Sequence, residues 1–224
     1  MNKPQGSTNT PKLIRAAILG APGSGKGTLA IALADKFNLA YFDTGLLYRG
    51  LAHIALEEFG EDFTKTNVIN IAKSFRINTL KESNLRSPIL GRYASEIGAI
   101  PEVRKILIKI QREFKEKSPS NKGIVVDGRD IGTVIFPNAN VKLFISASLE
   151  ERARRRLRDF LTNDENISYD EVIKQLQKRD QRDKERSVAP LVAAKDAHLI
   201  DTTNINKEET LEIASSLVAK KLSD

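Results

Sequence analysis

Apolar residues along the chain fall into two patterns that predict alternating strands and helices. Short apolar runs bounded by polar or glycine residues are typical of strands buried in a parallel sheet. Longer stretches repeat their apolar residues at helical spacing. Strands are predicted at Leu13–Leu19, Leu39–Asp43, Gly123–Asp127, Val141–Ser146 and His198–Asp201.

Helices are predicted between these strands, at Leu29–Phe37, at Leu46–Phe59, from Pro101 through Val103, Ile106, Leu107 and Ile110, from Ser168 to Asp183, and from Asn206 onward. Ser168 with Glu171, and Asn206 with Glu209, form capping boxes that mark two of the starts. The least regular segment, residues 63–93, is predicted to be an insertion over the ligand site. Strands alternating with helices predict an α/β fold with a parallel sheet between helices, and 224 residues suit one core.

A glycine-rich loop joins the first predicted strand to the first predicted helix. It reads Gly20, Ala21, Pro22, Gly23, Ser24, Gly25, Lys26, Gly27 and Thr28. A strand, a glycine turn and a helix N-terminus aim backbone N–H groups at one point, and Lys26 adds a mobile cation. Gly20 and Gly25 match the glycines of G-x-x-x-x-G-K, which favours a phosphate-binding loop over a flexible turn that happens to carry a lysine.

The residue after the lysine departs from the common pattern. Gly27 replaces the hydroxyl residue that usually ligates Mg²⁺, and Thr28 follows one place later. We therefore expect Thr28 to contact a phosphate and Mg²⁺ to be held mainly by nucleotide oxygens and water. With no cysteine and two histidines, the chain cannot form a disulfide, a thiolate zinc site or a histidine metal centre, so any metal arrives with the substrate.

A second group of polar residues follows the third predicted strand. The apolar run ends in Asp127 and turns through Gly128, so Arg129 and Asp130 leave the carboxyl end of the sheet, where open α/β sheets bind ligands. Asp127 could hold Mg²⁺ or its waters, or it could equally cap the following turn. The residues around it leave both interpretations open for Asp127 alone.

The charge and composition narrow the class of partner. A formal net charge of +7 suits an anionic partner. Aromatic residues are sparse and do not interleave with basic ones, which favours a phosphorylated small molecule over nucleic acid. Residues 1–12 lack an apolar core, which predicts a disordered tail, and no apolar stretch approaches the roughly 20 residues of a spanning helix. We expect a cytoplasmic monomer without a membrane partner.

Several segments together resemble bacterial cytidylate kinases, a family of nucleoside monophosphate kinases. They are the Gly-Lys-Gly-Thr of the loop, Asp127-Gly-Arg-Asp-Ile-Gly-Thr133, Asp43-Thr-Gly-Leu-Leu-Tyr-Arg49, Ala94–Arg104, and Lys178–Arg186 followed by Val188-Ala-Pro-Leu. The resemblance covers nearly everything from residue 13 onward. It implies a P-loop NTPase-type parallel five-stranded sheet in one kinase domain, with an acceptor-binding insertion at residues 63–100 and a short lid at residues 152–168.

The resemblance also implies roles for individual residues. Thr44 and Arg49 would contact the acceptor nucleotide, Ser95, Arg104 and Asp130 would read the cytosine, Arg129, Arg179 and Arg186 would grip phosphates, and Asp183 would bind the sugar hydroxyls. The segment Glu150–Arg158 resembles the lid, and we expect Arg155 to reach the ATP phosphates. Because Arg152, Arg155 and Arg156 share roughly one helical face, spacing alone leaves that choice open.

The chemistry of these residues fits the implied roles. Cytosine presents an N4 donor beside N3 and O2 acceptors, which Asp130 and Arg104 can complement, whereas the uracil carbonyl would oppose the Asp130 carboxylate. Arg179, Asp183 and Arg186 recur at spacings of four and three and could converge from one helical face. The same spacing also suits a solvated ion-pair ladder.

These observations predict a kinase of pyrimidine nucleotide metabolism that transfers the γ-phosphoryl group of ATP to CMP or dCMP, with Lys26, Arg129, Arg186 and Mg²⁺ as its catalytic groups. A kinase for UMP or AMP and a nucleotide-switched binding protein are the alternatives. Against the switch, the pair Asn121-Lys122 lacks the aspartate of a guanine-reading Asn-Lys-x-Asp. In one departure from the family, Phe75–Leu80 leads almost directly to Asn84, so a strand or two of the acceptor-side insertion is predicted to be missing.

Overall fold

The computed structural model describes residues 14–76, 85–114, 122–162 and 167–223. The strands in these ranges are β1 (Ile14–Gly20), β2 (Ala40–Asp43), β3 (Gly123–Gly128), β4 (Val141–Ser146) and β5 (His198–Asp201). The α-helices are α1 (Lys26–Phe37), α2 (Gly45–Phe59), α3 (Lys65–Ser74), α4 (Pro88–Ile97), α5 (Pro101–Phe114), α6 (Leu149–Thr162), α7 (Tyr169–Glu185) and α8 (Lys207–Ser223).

The five strands form one parallel sheet in the order β2-β3-β1-β4-β5. The central strand, β1, pairs with β3 through Ile14 and Gly123, and with β4 through Ala16 and Val141. A parallel sheet covered on both faces explains the nearly continuous apolar runs of these strands. Because β1 and β3 are parallel neighbours, the glycine-rich loop and the Asp127 segment leave the same edge of the sheet side by side.

Helices cover both faces of the sheet, as the sequence predicts. Successive residues of β1 point to opposite faces because side chains alternate along a strand. Ile18 packs in one buried cluster with Leu33 of α1 and Val218 of α8. Leu19 packs in a second buried cluster with Leu47 of α2. The predicted α/β architecture with five parallel strands is therefore confirmed.

Most predicted boundaries agree with the structure within one or two residues, and the exception is the start of α1. The prediction that this helix begins at Leu29 is wrong, because it begins at Lys26. Its first turn contains no apolar residue, so the periodic pattern could not reveal it. Leu13 and the predicted tail lie outside the described residues.

The segment predicted to be least regular, residues 63–93, instead contains two helices with clear starts. Thr64 and Asn67 form a capping box at the start of α3. At the start of α4, the Ser87 hydroxyl accepts a hydrogen bond from the Leu90 N–H, and Pro88 occupies the first turn. No strand occurs in residues 63–76 and 85–100. The predicted absence of a strand or two of the acceptor-side insertion concerns residues 75–84, of which residues 77–84 lie outside the described ranges.

The predicted lid corresponds largely to α6. This helix packs against α7 through a separate buried cluster that includes Ala153, Phe160, Val172 and Leu176. Residues 163–166, also in the predicted lid, are not among those described. None of the helices in the described ranges has the length and hydropathy needed to span a bilayer.

Candidate active site

The glycine-rich loop lies between the carboxyl end of β1 and the first turn of α1. Gly20 must be glycine because a Cβ there would lie 2.2 Å from the Ile145 carbonyl oxygen. Gly23 and Gly25 have φ angles of 78° and 88°, a region that disfavours other residues. No side chain caps the N-terminus of α1, so its backbone N–H groups remain available to an anion.

Lys26 of this loop is buried between arginines and carboxylates. Burial, and next the nearby Arg129, lower the pKa of Lys26 to about 8, although Asp127 and Asp43 oppose the shift. The Lys26 ammonium is 4.0 Å from the Asp127 carboxylate. An anion in the loop would therefore stabilise the protonated lysine.

Asp127 points toward the glycine-rich loop and the end of β2. Its carboxylate lies 3.5 Å from the Tyr41 hydroxyl, and burial raises its pKa while Lys26 lowers it. A Cβ at Gly27 would lie 3.1 Å from the Asp127 carboxylate. This proximity gives a physical reason for glycine at the position where the common pattern has a hydroxyl residue. Of the two interpretations left open by the sequence, the geometry favours the ligand-facing one.

Thr44 and Asp43 connect β2 to this edge of the sheet. The Thr44 hydroxyl donates to the Asp127 carbonyl oxygen at 2.8 Å, so its proton is engaged within the protein. The Asp43 carboxylate accepts the Gly45 N–H at 2.9 Å and lies 3.5 Å from the Arg86 guanidinium. Asp43 opens the family-like segment that ends at Arg49, but neither Asp43 nor Arg86 was predicted as a site residue. The position of Asp43 at the carboxyl end of a predicted strand was the signal available for it.

Arg104 and Asp130 form a buried ion pair. Their closest atoms are 2.7 Å apart, and Arg104 is 2% exposed. Arg104 also donates to the Gly98 carbonyl oxygen at 3.2 Å and lies over the Tyr48 ring. Although burial opposes it, the nearby Tyr48 and the Asp130 carboxylate raise the pKa of Arg104. The structure therefore brings one acceptor and one cationic donor together in a buried pair.

Arg129, Arg186 and Asp183 form the adjoining cluster. Arg129 donates to the Asp183 carboxylate at 2.9 Å, and Arg186 lies 3.5 Å from Asp183 and 3.8 Å from Asp130. Burial opposes ionisation of Asp183, but Arg129 and Arg179 hold the pKa of its carboxyl below the usual value. The side chains of Asp183 and Arg186 are 7% and 5% exposed, which excludes a solvated ion-pair ladder.

The prediction that Arg186 lies on the same helical face as Asp183 is wrong in one respect. α7 ends at Glu185, and Arg186 is the extended residue that follows it. Its Nε donates to the Ala189 carbonyl oxygen at 2.6 Å. The two side chains converge because the chain turns back at this point, and not through helical spacing alone.

Arg155 and Arg152 of α6 both lie near the glycine-rich loop but have different hydrogen-bond partners. Arg155 donates to Glu151 at 2.9 Å and to the Thr202 carbonyl oxygen at 2.6 Å. Arg152 forms a two-bond pair with Asp180 at 2.7 and 3.1 Å, and it donates to the Pro22 carbonyl oxygen at 3.4 Å. The guanidinium group of Arg155 is therefore already bonded within the protein, and Arg152 connects Pro22 of the loop to Asp180.

We expect Arg152→Met to destabilise the protein, because it leaves the carboxylate of Asp180 without its buried partner. The expected loss in the free energy of unfolding is about 3 kcal/mol. Urea denaturation measures it, with Arg154→Met as the control, since the side chain of Arg154 is 63% exposed on the same helix. Equal losses in the two variants would contradict a supporting role for Arg152.

One cleft of about 1080 Å³ joins these groups. The predicted site residues that line it are Gly23, Ser24, Gly25, Lys26, Gly27, Thr28, Thr44, Arg49, Ser95, Arg104, Asp127, Arg129, Asp130, Arg155, Arg179, Asp183 and Arg186. The predicted residues Gly20, Ala21 and Pro22 are not among the lining residues. The lining also includes Thr202 and the segment that follows it, which the sequence analysis missed. This segment follows β5, so the same strand-end rule could have revealed it.

The fold and the family relationship define a P-loop kinase. The chain belongs to the cytidylate kinase family, whose model matches residues 16–220. It is 44% identical to the cytidylate kinase of Acidiphilium cryptum over 92% of this chain and 95% of that protein. It is 42% identical to that of Bartonella quintana over 90% of this chain and 93% of that protein.

A solved structure supports the fold. The protein TT1252 from Thermus thermophilus is 21% identical to this chain, with a TM-score of 0.50 over 94% of this chain and 98% of that chain.

Proposed function

We propose that this enzyme transfers the γ-phosphoryl group of ATP to CMP or dCMP, giving ADP and CDP or dCDP. The observation that carries the proposal is the buried Arg104–Asp130 pair in the same cleft as the glycine-rich loop. The loop supplies donors for a triphosphate, and the pair supplies the acceptor and donor that cytosine requires. The family relationship supports the same substrates.

The proposed reaction requires positioning and charge neutralisation more than proton transfer. The attacking oxygen of a nucleoside monophosphate is already ionised at neutral pH, so no strong general base is needed. Lys26 and the loop would hold the ATP phosphates, while Arg129 and Arg186 stabilise charge on the transferring group. Arg49 and Arg179, which line the acceptor side, would hold the phosphate of the monophosphate.

The residues at the loop fit a magnesium ion that arrives with ATP. Asp127 and Asp43 place carboxylate oxygens beside Lys26, and oxygen is the ligand that Mg²⁺ prefers. In the described ranges, His, Cys, Asp and Glu side chains form no group of three or more able to hold a metal. We propose that Asp127 would hold Mg²⁺ directly or through water when ATP brings the ion, which would supply charge neutralisation at the phosphates.

The preference for cytosine over uracil follows from the acceptor character of Asp130. The cytosine amino group can donate to this carboxylate, whereas the uracil O4 would oppose it with a second acceptor in a buried pocket. Arg104 donates and has no such selectivity toward O2, which both bases carry. We therefore assign the discrimination between CMP and UMP to Asp130.

Asp130→Asn should narrow the preference for CMP, because an amide can turn its N–H₂ toward the uracil carbonyl. We expect kcat/KM for CMP to fall about 5- to 150-fold, the equivalent of 1 to 3 kcal/mol for a good polar base contact. The measurement is kcat/KM for CMP, dCMP and UMP in wild type and variant. Arg104→Gln should instead weaken both CMP and UMP.

The ratio of CMP to UMP efficiency separates base recognition from damage to the fold. Loss of folded enzyme lowers both efficiencies equally, and the exposed substitution Asp62→Asn should leave both at the wild-type level. An unchanged ratio in Asp130→Asn would make Asp130 a structural partner of Arg104 and place cytosine recognition elsewhere.

A coupled assay across CMP, dCMP, UMP and AMP tests the whole proposal. Steady ADP release that is fastest with CMP or dCMP is the expected result. Fastest turnover with AMP or UMP would show that CMP is not the preferred acceptor. Binding of ATP without turnover on any acceptor would show that the protein is not a kinase of these monophosphates.

We also propose that the protein is a cytoplasmic monomer. Light scattering should then give a mass near 24.9 kDa.

A further inference from the structure

The arginines of α6 point to different neighbours, and Arg156 reaches α4. Arg152 contacts Asp180, Arg155 contacts Thr202, and the side chains of Arg154 and Arg158 are 63% and 72% exposed. Arg156 Nη2 instead lies 3.9 Å from the position that a Cβ would occupy on Gly91 of α4.

Two other guanidinium groups reach the same point. Arg179 Nη1 and Arg49 Nη2 each lie 4.0 Å from that Cβ position. The three arginines come from α6, α7 and α2, so three separate helices bring positive charges to one face of α4. Charges this close repel one another strongly when water is partly excluded.

The protein compensates this positive charge only in part. Arg179 Nε is buried without a hydrogen-bond partner, and Arg49 Nη1 donates to the neutral Leu85 carbonyl oxygen at 3.2 Å. Arg156 lies 3.8 Å from Asp159, whose side chain is 66% exposed, and 4.8 Å from the centre of the Phe160 ring. Burial, followed by the charge of Arg129, lowers the pKa of Arg179 to about 9, and Asp183 opposes the shift. A bound anion would relieve this repulsion.

We propose that Arg156 binds the phosphate of the acceptor nucleotide together with Arg49 and Arg179. The inference rests on the proposed function and deepens it, because it assigns an arginine of α6 to the acceptor and not to ATP. A phosphate dianion suits the site, since planar guanidinium groups bind its oxygens in a two-pronged geometry and its charge offsets more than one of them. Gly91 keeps the meeting point of the three groups open.

Arg156→Met tests the assignment, with Arg154→Met as the matched control on the exposed face of the same helix. Calorimetry without ATP measures CMP binding, and steady-state kinetics measures the KM of each substrate. We expect Arg156→Met to weaken CMP binding at least tenfold and to raise the KM for CMP, with the KM for ATP unchanged. Arg154→Met should change none of the three.

A second variant tests the site through α4. A Cβ at Gly91 would make only ordinary contacts with the three guanidinium groups, so a larger side chain here should leave the fold intact. Gly91→Val extends side-chain atoms into the meeting point and should weaken CMP binding without affecting ATP. The measurement of CMP binding in Gly91→Val still tests the proposal if Arg156→Met does not fold.

Two results would overturn the inference. One is CMP affinity within twofold of wild type in both Arg156→Met and Gly91→Val. The other is a selective rise in the KM for ATP, which would place Arg156 on the donor side. An error in the proposed substrate gives a different outcome. Wild type would then bind UMP or AMP better than CMP, and the loss in Arg156→Met would appear with that nucleotide because all three carry the same phosphate.

Discussion

Replacing Lys26 by methionine should lower turnover with ATP and CMP by about 10²- to 10³-fold, the cost of removing one preorganised group from a transition state. Methionine keeps the length of the side chain but cannot donate to a phosphate. The glycine-rich loop keeps its backbone N–H groups, so we expect ATP binding to weaken less than turnover.

Stability provides the internal check on this prediction. The pKa of Lys26 is about 8 in the fold and 10.5 in an ordinary lysine, chiefly because of burial. Since the folded state lowers the pKa, the charged lysine destabilises the fold at pH 7, and this cost disappears as the pH rises from about 8 toward 10.5. Lys26→Met should therefore melt no lower than wild type. Lys36→Met, exposed at the far end of α1, should keep full turnover. Near-normal turnover in Lys26→Met would contradict the assignment of Lys26 as a catalytic group.

The sheet could be predicted from the sequence because each strand is a short apolar run bounded by polar or glycine residues. The start of α1 could not, because its first turn is Lys26, Gly27 and Thr28, which carry no apolar periodicity. The helices α3 and α4 were missed although Thr64 and Ser87 cap them clearly. Each is only 10 residues long, so its apolar pattern covers fewer than about three turns.

The residues of the candidate site also fall into two groups: those that the sequence predicts and those that depend on the tertiary structure. The glycine-rich loop and the Asp127 segment could be found because each is a continuous motif at a strand end. Asp43 and Thr202 also lie at strand ends, but the strand order β2-β3-β1-β4-β5 that brings them to this cleft is not specified by local sequence. The contacts of Arg152, Arg155 and Arg156 also depend on tertiary packing. These residues share roughly one helical face, yet one meets α7, one the segment after β5 and one α4.

Arg129→Ala and Arg186→Ala should each depress turnover with CMP strongly. An arginine that stabilises charge on a transferring phosphoryl group is worth about 10³ to 10⁵ in rate. Both side chains contact Asp183, at 2.9 and 3.5 Å, and both line the cleft between the two proposed nucleotide subsites. Rapid-quench single turnover measures the chemical step directly, and Arg158→Ala, whose side chain is 72% exposed, is the control that should stay near wild type.

The double variant distinguishes a shared role from two separate ones. Because Asp183 holds both guanidinium groups, losing either one leaves the other with an altered partner, so the two effects should not add. We expect the loss in turnover for the double variant to be smaller than the product of the single losses. Fully multiplicative losses would mean that the two arginines act independently. A rise in KM alone, with turnover unchanged in both single variants, would mean that they bind the ground state and contribute nothing to the transition state.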